Sequence, residues 1–137
     1  MTDRTGEART VSVTIERPPQ TVYDYVADPA TLPLWAFFES ITPAGDGRWT
    51  STGPDGETAT IAFAPPNEFG VLDQDVEVAP GDVVHVPLRV VPNGPGSEVL
   101  FTAFRRPEYT DDDFDADVDV AVVRADLARL KELLESS

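Results

Sequence analysis

The sequence has no cysteine, one histidine and one lysine among its 137 residues. Without cysteine there can be no disulfide, thiolate zinc site, iron–sulfur cluster or cysteine nucleophile. His85 is the only histidine, so a metal site built from several histidines is excluded, and a catalytic triad would have to use this residue. We therefore expect neither a metal nor another cofactor.

Basic residues are scarce as well. The chain has ten basic and 25 acidic residues, which gives a formal net charge of −15 at pH 7. Nucleic acids attract clustered lysine and arginine, so we expect no nucleic-acid partner. Residues 1–9 contain no apolar export segment, and no apolar run approaches the ~18 residues that a membrane-spanning helix needs. The expectation is a cytoplasmic protein that does not insert into membranes.

The acidity has two competing explanations. The chain contains nine arginines but only one lysine, Lys131, and aspartate outnumbers glutamate by 15 to 10. A high-salt cytoplasm would tolerate a dense carboxylate surface, because salt screens the repulsion between like charges. Nucleotide bias would favour arginine over lysine without any such adaptation.

Salt adaptation predicts that the protein becomes more stable as salt concentration rises. The Debye length falls from about 10 Å at 0.1 M salt to about 3 Å at 1 M, so repulsion between carboxylates weakens over this range. The thermal unfolding midpoint should therefore increase between 0.1 M and 1 M KCl. KCl is preferred to a sulfate salt, because sulfate also stabilises proteins through its exclusion from their surfaces, which would add to the effect of screening. An unchanged or lower midpoint at 1 M would favour nucleotide bias.

The first forty residues predict a strand followed by two short helices. Val11, Val13 and Ile15 alternate with polar residues, which is the pattern of a half-buried strand. Residues 19–27 carry proline in the first turn and apolar residues at helical spacing, and residues 30–35 form a second short helical turn. Residues 1–9 are polar, so we expect a disordered tail ahead of a single domain over 10–137.

The middle of the chain is predicted to form an antiparallel meander, a series of strands joined by hairpin turns. Most of the 13 prolines and nine glycines lie in short clusters that separate apolar stretches, as expected for hairpin turns. A strand through Ile41 precedes this meander, and the further predicted strands cover about 48–52, 57–64, 69–78, 83–91 and 97–106.

One long helix is predicted at the end of the chain, over 114–135. Its apolar stripe consists of Val120, Val123, Leu127, Leu130 and Leu134. A single helix, about 10 Å across, cannot cover a flat sheet of about seven strands, so the sheet must curve around it. The predicted fold is therefore α+β, a curved antiparallel sheet that grips a C-terminal helix, with an apolar cavity between them.

Strand parity also predicts a register for the strands at 69–78 and 83–91. A hairpin with the three-residue loop 80–82 would place apolar residues on the inner face and charged residues on the outer face. The predicted pairs are Val78 with Val84 and Val76 with Val86 inside, and Asp73 with Arg89 and Glu77 with His85 outside. The alternative is that a bulge turns Asp73, His85 or Arg89 into the cavity, where they could act as acid–base or polarising groups.

An acidic segment at 111–119 superficially suggests calcium ligands. It does not fit the calcium-loop template, because Val122 or Arg124 would stand where a bidentate glutamate is needed and no glycine occupies the sixth position. Acidic residues also favour a helix N-terminus, where they cap free amides and face the positive end of the dipole. Helix capping is the preferred interpretation.

Aromatic residues are candidates for a pocket or for the core, namely Trp35, Phe38, Phe63, Phe101 and Phe104. No glycine-rich phosphate loop, Gly-x-Ser-x-Gly elbow or cluster of metal ligands is present. The sequence therefore contains no signature of catalysis.

In seven segments the chain resembles the SRPBCC superfamily of START-like, helix-grip proteins, which includes polyketide cyclase/dehydrase-like members. The segments are VSVTI at 11–15, RPPQTVYDYVADP at 17–29, LPLW at 32–35, FGVLD at 69–73, VPLRVVPNG at 86–94, VLFTAFR at 99–105 and DLARLKELL at 126–134. The resemblance implies a hydrophobic ligand cavity between sheet and helix, but no particular reaction, because catalytic members differ in their cavity residues.

The positions that the resemblance and strand parity assign to the cavity walls are Trp35, Phe38, Phe63, Leu72, Val86, Leu88, Phe101, Val123 and Leu127. Three hypotheses about function follow. The first is a monomer or weak homodimer that binds a small hydrophobic or amphipathic molecule, such as a lipid, polyketide or aromatic metabolite. The second is a cyclase, aromatase or hydratase that uses the same cavity. The third is a module that binds a protein partner, associated with stress or with a chaperone.

Overall fold

A computed structural model describes residues 7–36, 38–104 and 116–136. It confirms the α+β helix-grip fold, with two short helices after the first strand, antiparallel sheets and a long C-terminal helix. The strands are β1 (Ala8–Ile15), β2 (Ser40–Gly45), β3 (Arg48–Thr52), β4 (Thr58–Phe63), β5 (Gln74–Ala79), β6 (Asp82–Val86), β7 (Leu88–Asn93) and β8 (Gly96–Phe104). The helices are α1 (Pro19–Val26), α2 (Leu32–Trp35), which follows a 3₁₀ turn over Pro29–Thr31, and α3 (Ala116–Glu135).

The strands form two antiparallel sheets. One has three strands in the order β1-β8-β7, and the other has five in the order β2-β3-β4-β5-β6. Short contacts with the segment before β5 connect them, since Val71 bridges to Arg89 and Leu72 N donates to Leu88 O at 2.8 Å. These contacts bend the chain from one sheet into the other, which is how the sheets enclose the helix.

The described part of the chain has eight strands, one more than expected, because the predicted strand at 83–91 is divided at Pro87. Proline has no backbone N–H to donate to a neighbouring strand, so it interrupts the ladder. The Pro87 carbonyl instead accepts from Thr102 N at 3.1 Å. As a result, β6 belongs to the five-stranded sheet and β7 to the three-stranded one.

The predicted strand at 69–78 starts five residues late, at Gln74. The Asn67 side chain holds the preceding loop, because its Oδ1 accepts from Phe69 N and Val71 N at 2.9 and 3.1 Å. Its Nδ2 also donates to Val71 O at 2.9 Å. Such local side-chain bonds compete with strand pairing.

The predicted register of the β5–β6 hairpin is wrong by two residues. Val76 pairs with Val84 instead of Val86, and His85 pairs with Asp75 instead of Glu77. The hairpin closes more tightly than expected, with Ala79 opposite Asp82 and a bulge between Glu77 and Ala79. Because side chains alternate with a period of two, this shift keeps Val76, Val84 and Val86 on the inner face. The prediction that Val78 faces inward is wrong, because it lies at the bulge and is 41% exposed.

The long helix packs on β1 and β8 of the three-stranded sheet, with its predicted apolar stripe facing the core. Leu127, Leu130 and Leu134 are buried, and Val120 and Val123 pack partly buried against the same core. Among the described residues, the buried core consists of Val11, Ile15, Val22, Val26, Leu32, Trp35, Ile61, Leu72, Leu88, Val90, Val99, Leu127, Leu130 and Leu134. None of the helices in the described ranges has the length and apolarity needed to span a bilayer.

The N-terminal end of the chain departs from expectation in one respect. β1 begins at Ala8, two residues before the predicted start, and pairs with β8 from Ala8 opposite Phe104 to Ile15 opposite Ser97. The remaining part of the predicted tail, residues 1–6, lies outside the described residues. The acidic segment at 111–119 and its predicted capping role also fall outside the side chains that the structure describes.

Candidate functional site

An apolar cavity of about 130 Å³ lies where α2 and α3 face the sheets. Its walls come from α2 and the residues after it, from β5 and β6 of one sheet, from β8 of the other, and from α3. The lining residues are Leu32, Trp35, Ala36, Phe38, Gln74, Val76, Val86, Phe101, Val123, Asp126 and Leu127. The cavity is therefore bounded by both sheets and by two helices.

Six of the nine predicted wall residues line this cavity. They are Trp35, Phe38, Val86, Phe101, Val123 and Leu127. Leu88 does not, because the chain crosses into the other sheet at Pro87 and Leu88 becomes a fully buried core residue.

Phe63 and Leu72 line a different cavity, of about 250 Å³, between α1, β3 and β4. Strand parity correctly predicts that both side chains point inward, but they face α1 and the residue after it, not α3. Tyr23 forms part of this second wall, and its hydroxyl accepts a hydrogen bond from Asn67 N at 3.0 Å. Phe104, the remaining aromatic candidate, is exposed at the end of β8.

The sequence analysis did not assign Leu32, Ala36, Gln74, Val76 and Asp126 to the cavity. A signal for two of them was present. Gln74 shares its strand face with Leu72 and Val76, and Asp126 lies three residues after Val123 on α3, so both fall on inward faces by periodicity. Their polarity is what argued against an inward position.

Gln74 and Trp35 bring unpaired polar groups to the cavity. Gln74 is only 8% exposed, and within the described ranges its side-chain amide has no hydrogen-bond partner. Trp35 is 2% exposed, and its buried indole Nε1 likewise lacks an acceptor among the described residues. Most buried polar groups in proteins are paired, so the covered Trp35 N–H calls for an explanation, whereas the Gln74 amide is a polar group that lines the cavity.

Asp126 and Arg129 join α3 to the end of α2 beside the cavity. Arg129 Nη1 donates to the Trp35 carbonyl at 2.7 Å and lies 3.6 Å from Asp126 Oδ1. A cation at the C-terminal end of a helix satisfies a free carbonyl. This contact holds the Trp35 backbone against α3.

The charged cluster predicted on the outer face is present and lies away from the cavity. Arg89 donates from Nε to Asp73 Oδ1 and from Nη2 to Asp73 Oδ2, both at 2.8 Å, which confirms the predicted ion pair. The His85 side chain is 53% exposed and contacts Asp75 Oδ1 through Nδ1 at 2.7 Å, so its predicted pairing with Glu77 is wrong. The outward orientation of this cluster is confirmed, and it leaves the cavity without an imidazole.

Asp73 should make stability depend on pH. Its hydrogen bond from Arg89, together with one from Leu88 N, holds the pKa of this carboxyl below its ordinary value despite partial burial. The unfolded chain therefore takes up the proton first as pH falls, so the stabilisation is present at neutral pH and is lost below about pH 4. Asp73→Asn should lower the free energy of unfolding by about 1 kcal/mol at pH 7 and by much less at pH 3.

Urea unfolding of both proteins at the two pH values measures this difference. Asp75→Asn is the matched control, because Asp75 is an exposed carboxylate whose ion pair among the described residues is with the exposed His85. We expect this change to alter stability by less than about 0.5 kcal/mol. An equal cost of Asp73→Asn at pH 7 and pH 3 would contradict the assignment.

Solved structures share this fold. An uncharacterised protein from Bacillus thuringiensis superposes with a TM-score of 0.74 at 18% identity, covering 93% of this chain and 98% of that one. The Aha1 dimer from Colwellia psychrerythraea gives 0.74 at 16% identity, with 94% and 96% covered. The di-domain aromatase/cyclase StfQ of the steffimycin biosynthetic pathway gives 0.70 at 15% identity, over 93% of this chain and 44% of that one.

Sequence comparison identifies the family. No curated protein matches the chain. The model of the family described as "Polyketide cyclase / dehydrase and lipid transport" matches residues 8–135, which is nearly the whole chain. This match confirms the resemblance to the SRPBCC superfamily, as does the superposition with helix-grip structures. The chain belongs to the polyketide cyclase/dehydrase and lipid transport family.

Proposed function

We propose that this protein binds a small hydrophobic or amphipathic molecule, such as a lipid, polyketide or aromatic metabolite, in the cavity between α3 and the sheets. The observation that carries the proposal is the apolar cavity of about 130 Å³ with Trp35, Phe38 and Phe101 in its walls. Apolar clefts with a few convergent polar groups are the usual form of small-molecule sites. The family description, which names lipid transport, supports the same conclusion.

The size of the cavity limits what enters it. An engineered cavity of about 150 Å³ lined by aliphatic and aromatic side chains holds benzene, whereas drug-sized ligands occupy about 300–1,000 Å³. The cavity of about 130 Å³ therefore suits one ring or a short acyl segment. A longer lipid or polyketide would insert one end, with the rest reaching the surface.

Native mass spectrometry of the freshly purified full chain tests this proposal. We expect an adduct that is lost on denaturation and is recovered in an organic extract of the same sample. A mass equal to the bare chain, together with no amide shifts in NMR titrations against single-ring lipophiles, would overturn it. A Val123→Trp variant, which fills the cavity from α3, is the control and should lose the adduct while keeping the fold.

An enzyme that uses the same cavity is the second candidate. The observation that favours it is the Asp126 carboxylate in the lining, beside the Gln74 amide, because acid–base catalysis needs a titratable group within reach of the substrate. The aromatase/cyclase StfQ shares the fold. In this case Asp126→Asn should abolish turnover of a bound polyketide while leaving its binding intact, and loss of both together would favour a structural role.

Location and assembly belong to the same proposal. We place the protein in the cytoplasm as a monomer or weak dimer. Its large exposed apolar residues include Leu34, Phe69 and Val83, which lie on α2, on the loop before β5 and on β6. Leu34 shares a surface pocket with the exposed Leu133 of α3, whereas Phe69 and Val83 do not line it. Stable interfaces bury about 1,200–2,000 Å², more than two leucines supply, so a monomer is the favoured state. A single concentration-independent mass in light scattering would support it, and a stable dimer would favour the partner-binding hypothesis.

A further inference from the structure

Two polar groups at the cavity, the Gln74 amide and the Trp35 indole N–H, have no hydrogen-bond partner among the described residues. The Gln74 amide projects from β5 among Val76, Val86 and Phe101, and no partner for it occurs in the part of the chain that the structure describes. The Trp35 indole N–H, on the α2 side of the cavity, likewise has no partner among the described residues. Leaving a buried donor unpaired is unfavourable, whereas an apolar residue of similar shape would avoid the loss. These groups are therefore suited to a partner that arrives with the ligand.

The chemistry of the two groups restricts that partner. An indole N–H can only donate, and an amide NH₂ donates as well, so both can be satisfied by acceptor oxygens. The Gln74 amide turns by side-chain rotation and can meet a ligand directly. Because Trp35 Nε1 is fully covered, the indole must turn slightly before it can donate to a ligand.

Charge restricts the partner further. Among the lining residues that the structure describes, Asp126 is the only ionisable one; Arg129, which lies 3.6 Å from its carboxylate, is not part of the lining. The chain as a whole has a net charge of −15. An anionic ligand would lose its hydration inside an apolar cavity and meet a carboxylate instead of a counter-ion.

We propose that the cavity selects an uncharged ligand that carries a hydrogen-bond acceptor oxygen, such as a ketone, aldehyde or ester, and that Gln74 and the Trp35 N–H donate to that oxygen. This inference rests on the proposed function. It adds that a free fatty acid or another carboxylate is not the preferred ligand.

Three single-ring probes of similar size separate the possibilities. Acetophenone carries a carbonyl oxygen, α-methylstyrene replaces that oxygen with a CH₂ group, and benzoate carries a negative charge at pH 7. Their dissociation constants with the full chain can be measured by amide NMR titration. We expect acetophenone to bind about threefold to tenfold more tightly than α-methylstyrene, the range of one net hydrogen bond, and benzoate to bind most weakly.

Gln74→Met identifies the donor, because methionine has a similar length but no hydrogen-bonding amide. We expect the variant to bind α-methylstyrene normally and to lose the preference for acetophenone. Without ligand its thermal midpoint should equal or exceed that of the wild type, since an unpaired amide has been removed. Val86→Ala is the matched control, because it enlarges the same cavity without changing its polar groups. It should keep the preference for acetophenone.

The outcomes distinguish this inference from the proposed function. Equal binding of acetophenone and α-methylstyrene would overturn the inference while leaving the binding function intact. Benzoate binding as tight as that of acetophenone would overturn the selection for uncharged ligands. Failure of all three probes to bind would overturn both proposals. A Gln74→Met variant that keeps the full preference would remove Gln74 from the donor role.

Discussion

Replacing Leu130 with alanine is expected to lower the free energy of unfolding by about 3–5 kcal/mol, the upper part of the range for buried leucines. Leu130 lies on the core face of α3, its side chain is fully buried, and it does not line the cavity. The change removes apolar contacts on all sides and leaves a new void, because the surrounding core relaxes only partly. The size of the effect reflects how completely α3 is enclosed.

Leu127→Ala is the matched variant, one helical turn earlier on the same face. Leu127 is equally buried but borders the existing cavity, so part of its surface already lacks packing partners. We expect a smaller loss, about 2–3 kcal/mol, because fewer contacts disappear. Its removal also enlarges the cavity, so the variant should bind a two-ring lipophile such as naphthalene more tightly than the wild type does.

Urea unfolding of the wild type and both variants measures the stability difference, and NMR titration with naphthalene measures the change in binding. Equal losses of stability would mean that Leu127 is packed as tightly as Leu130. If Leu130→Ala raised the affinity for naphthalene more than Leu127→Ala did, the ligand would be entering the core at another place. Either result would count against the position of the cavity.

Gly70→Ala should destabilise the protein by about 2–5 kcal/mol, from backbone strain and from overpacking together. Gly70 has a φ of +73°, and a Cβ at this position would lie 2.0 Å from the carbonyl oxygen of Val90. Val90 N also donates to Gly70 O at 2.9 Å, so the two backbones are in direct contact. A methyl group would push the loop away from β7 at the point where the two sheets are joined.

Gly81→Ala separates the two contributions. Gly81 has a nearly identical φ of +77°, but a Cβ there would have no neighbour within 4 Å. In this variant the free energy of unfolding should fall only by the strain of placing alanine in the left-handed conformation, about 1–2 kcal/mol. Thermal and urea unfolding of both variants gives the difference. Equal losses would show that Gly70 is required for its conformation alone and not for the close approach to β7.

Gly70→Ala should also affect the outer face. Displacing the loop disturbs the bridge between Val71 and Arg89, and with it the ion pair between Arg89 and Asp73. The variant should therefore lose part of the pH dependence that Asp73 contributes. Gly81→Ala, at the distant turn, should retain it.

Local sequence patterns predicted the elements well because they depend on short-range geometry. The alternation of Val11, Val13 and Ile15 produced a strand, and the stripe on α3 became the core face of the helix. Two predictions failed where side chains or proline altered the backbone. Asn67 holds the loop that was expected to extend β5, and Pro87 divides a long strand between two sheets.

The cavity was harder to predict than the fold. Periodicity identified inward faces, which is why six wall residues were named correctly, but it did not show which inward residues border the same space. Phe63 and Leu72 face the α1 side of the interior, and Leu88 is enclosed in the core. Gln74 was overlooked because a polar residue on an inward face contradicts the apolar pattern, although unpaired polar groups are what a ligand site uses.

The amino-acid order alone determined the α+β class, the two short helices, the gripping C-terminal helix and the inward or outward side of most strand residues, because these follow from local periodicity and turn chemistry. Only the tertiary structure decided that Gln74, Trp35 and Asp126 line one cavity of about 130 Å³ and that the Trp35 N–H is covered without a described partner. A cavity is the space that packing leaves unfilled, so its position depends on how distant elements meet and not on the pattern within any one of them.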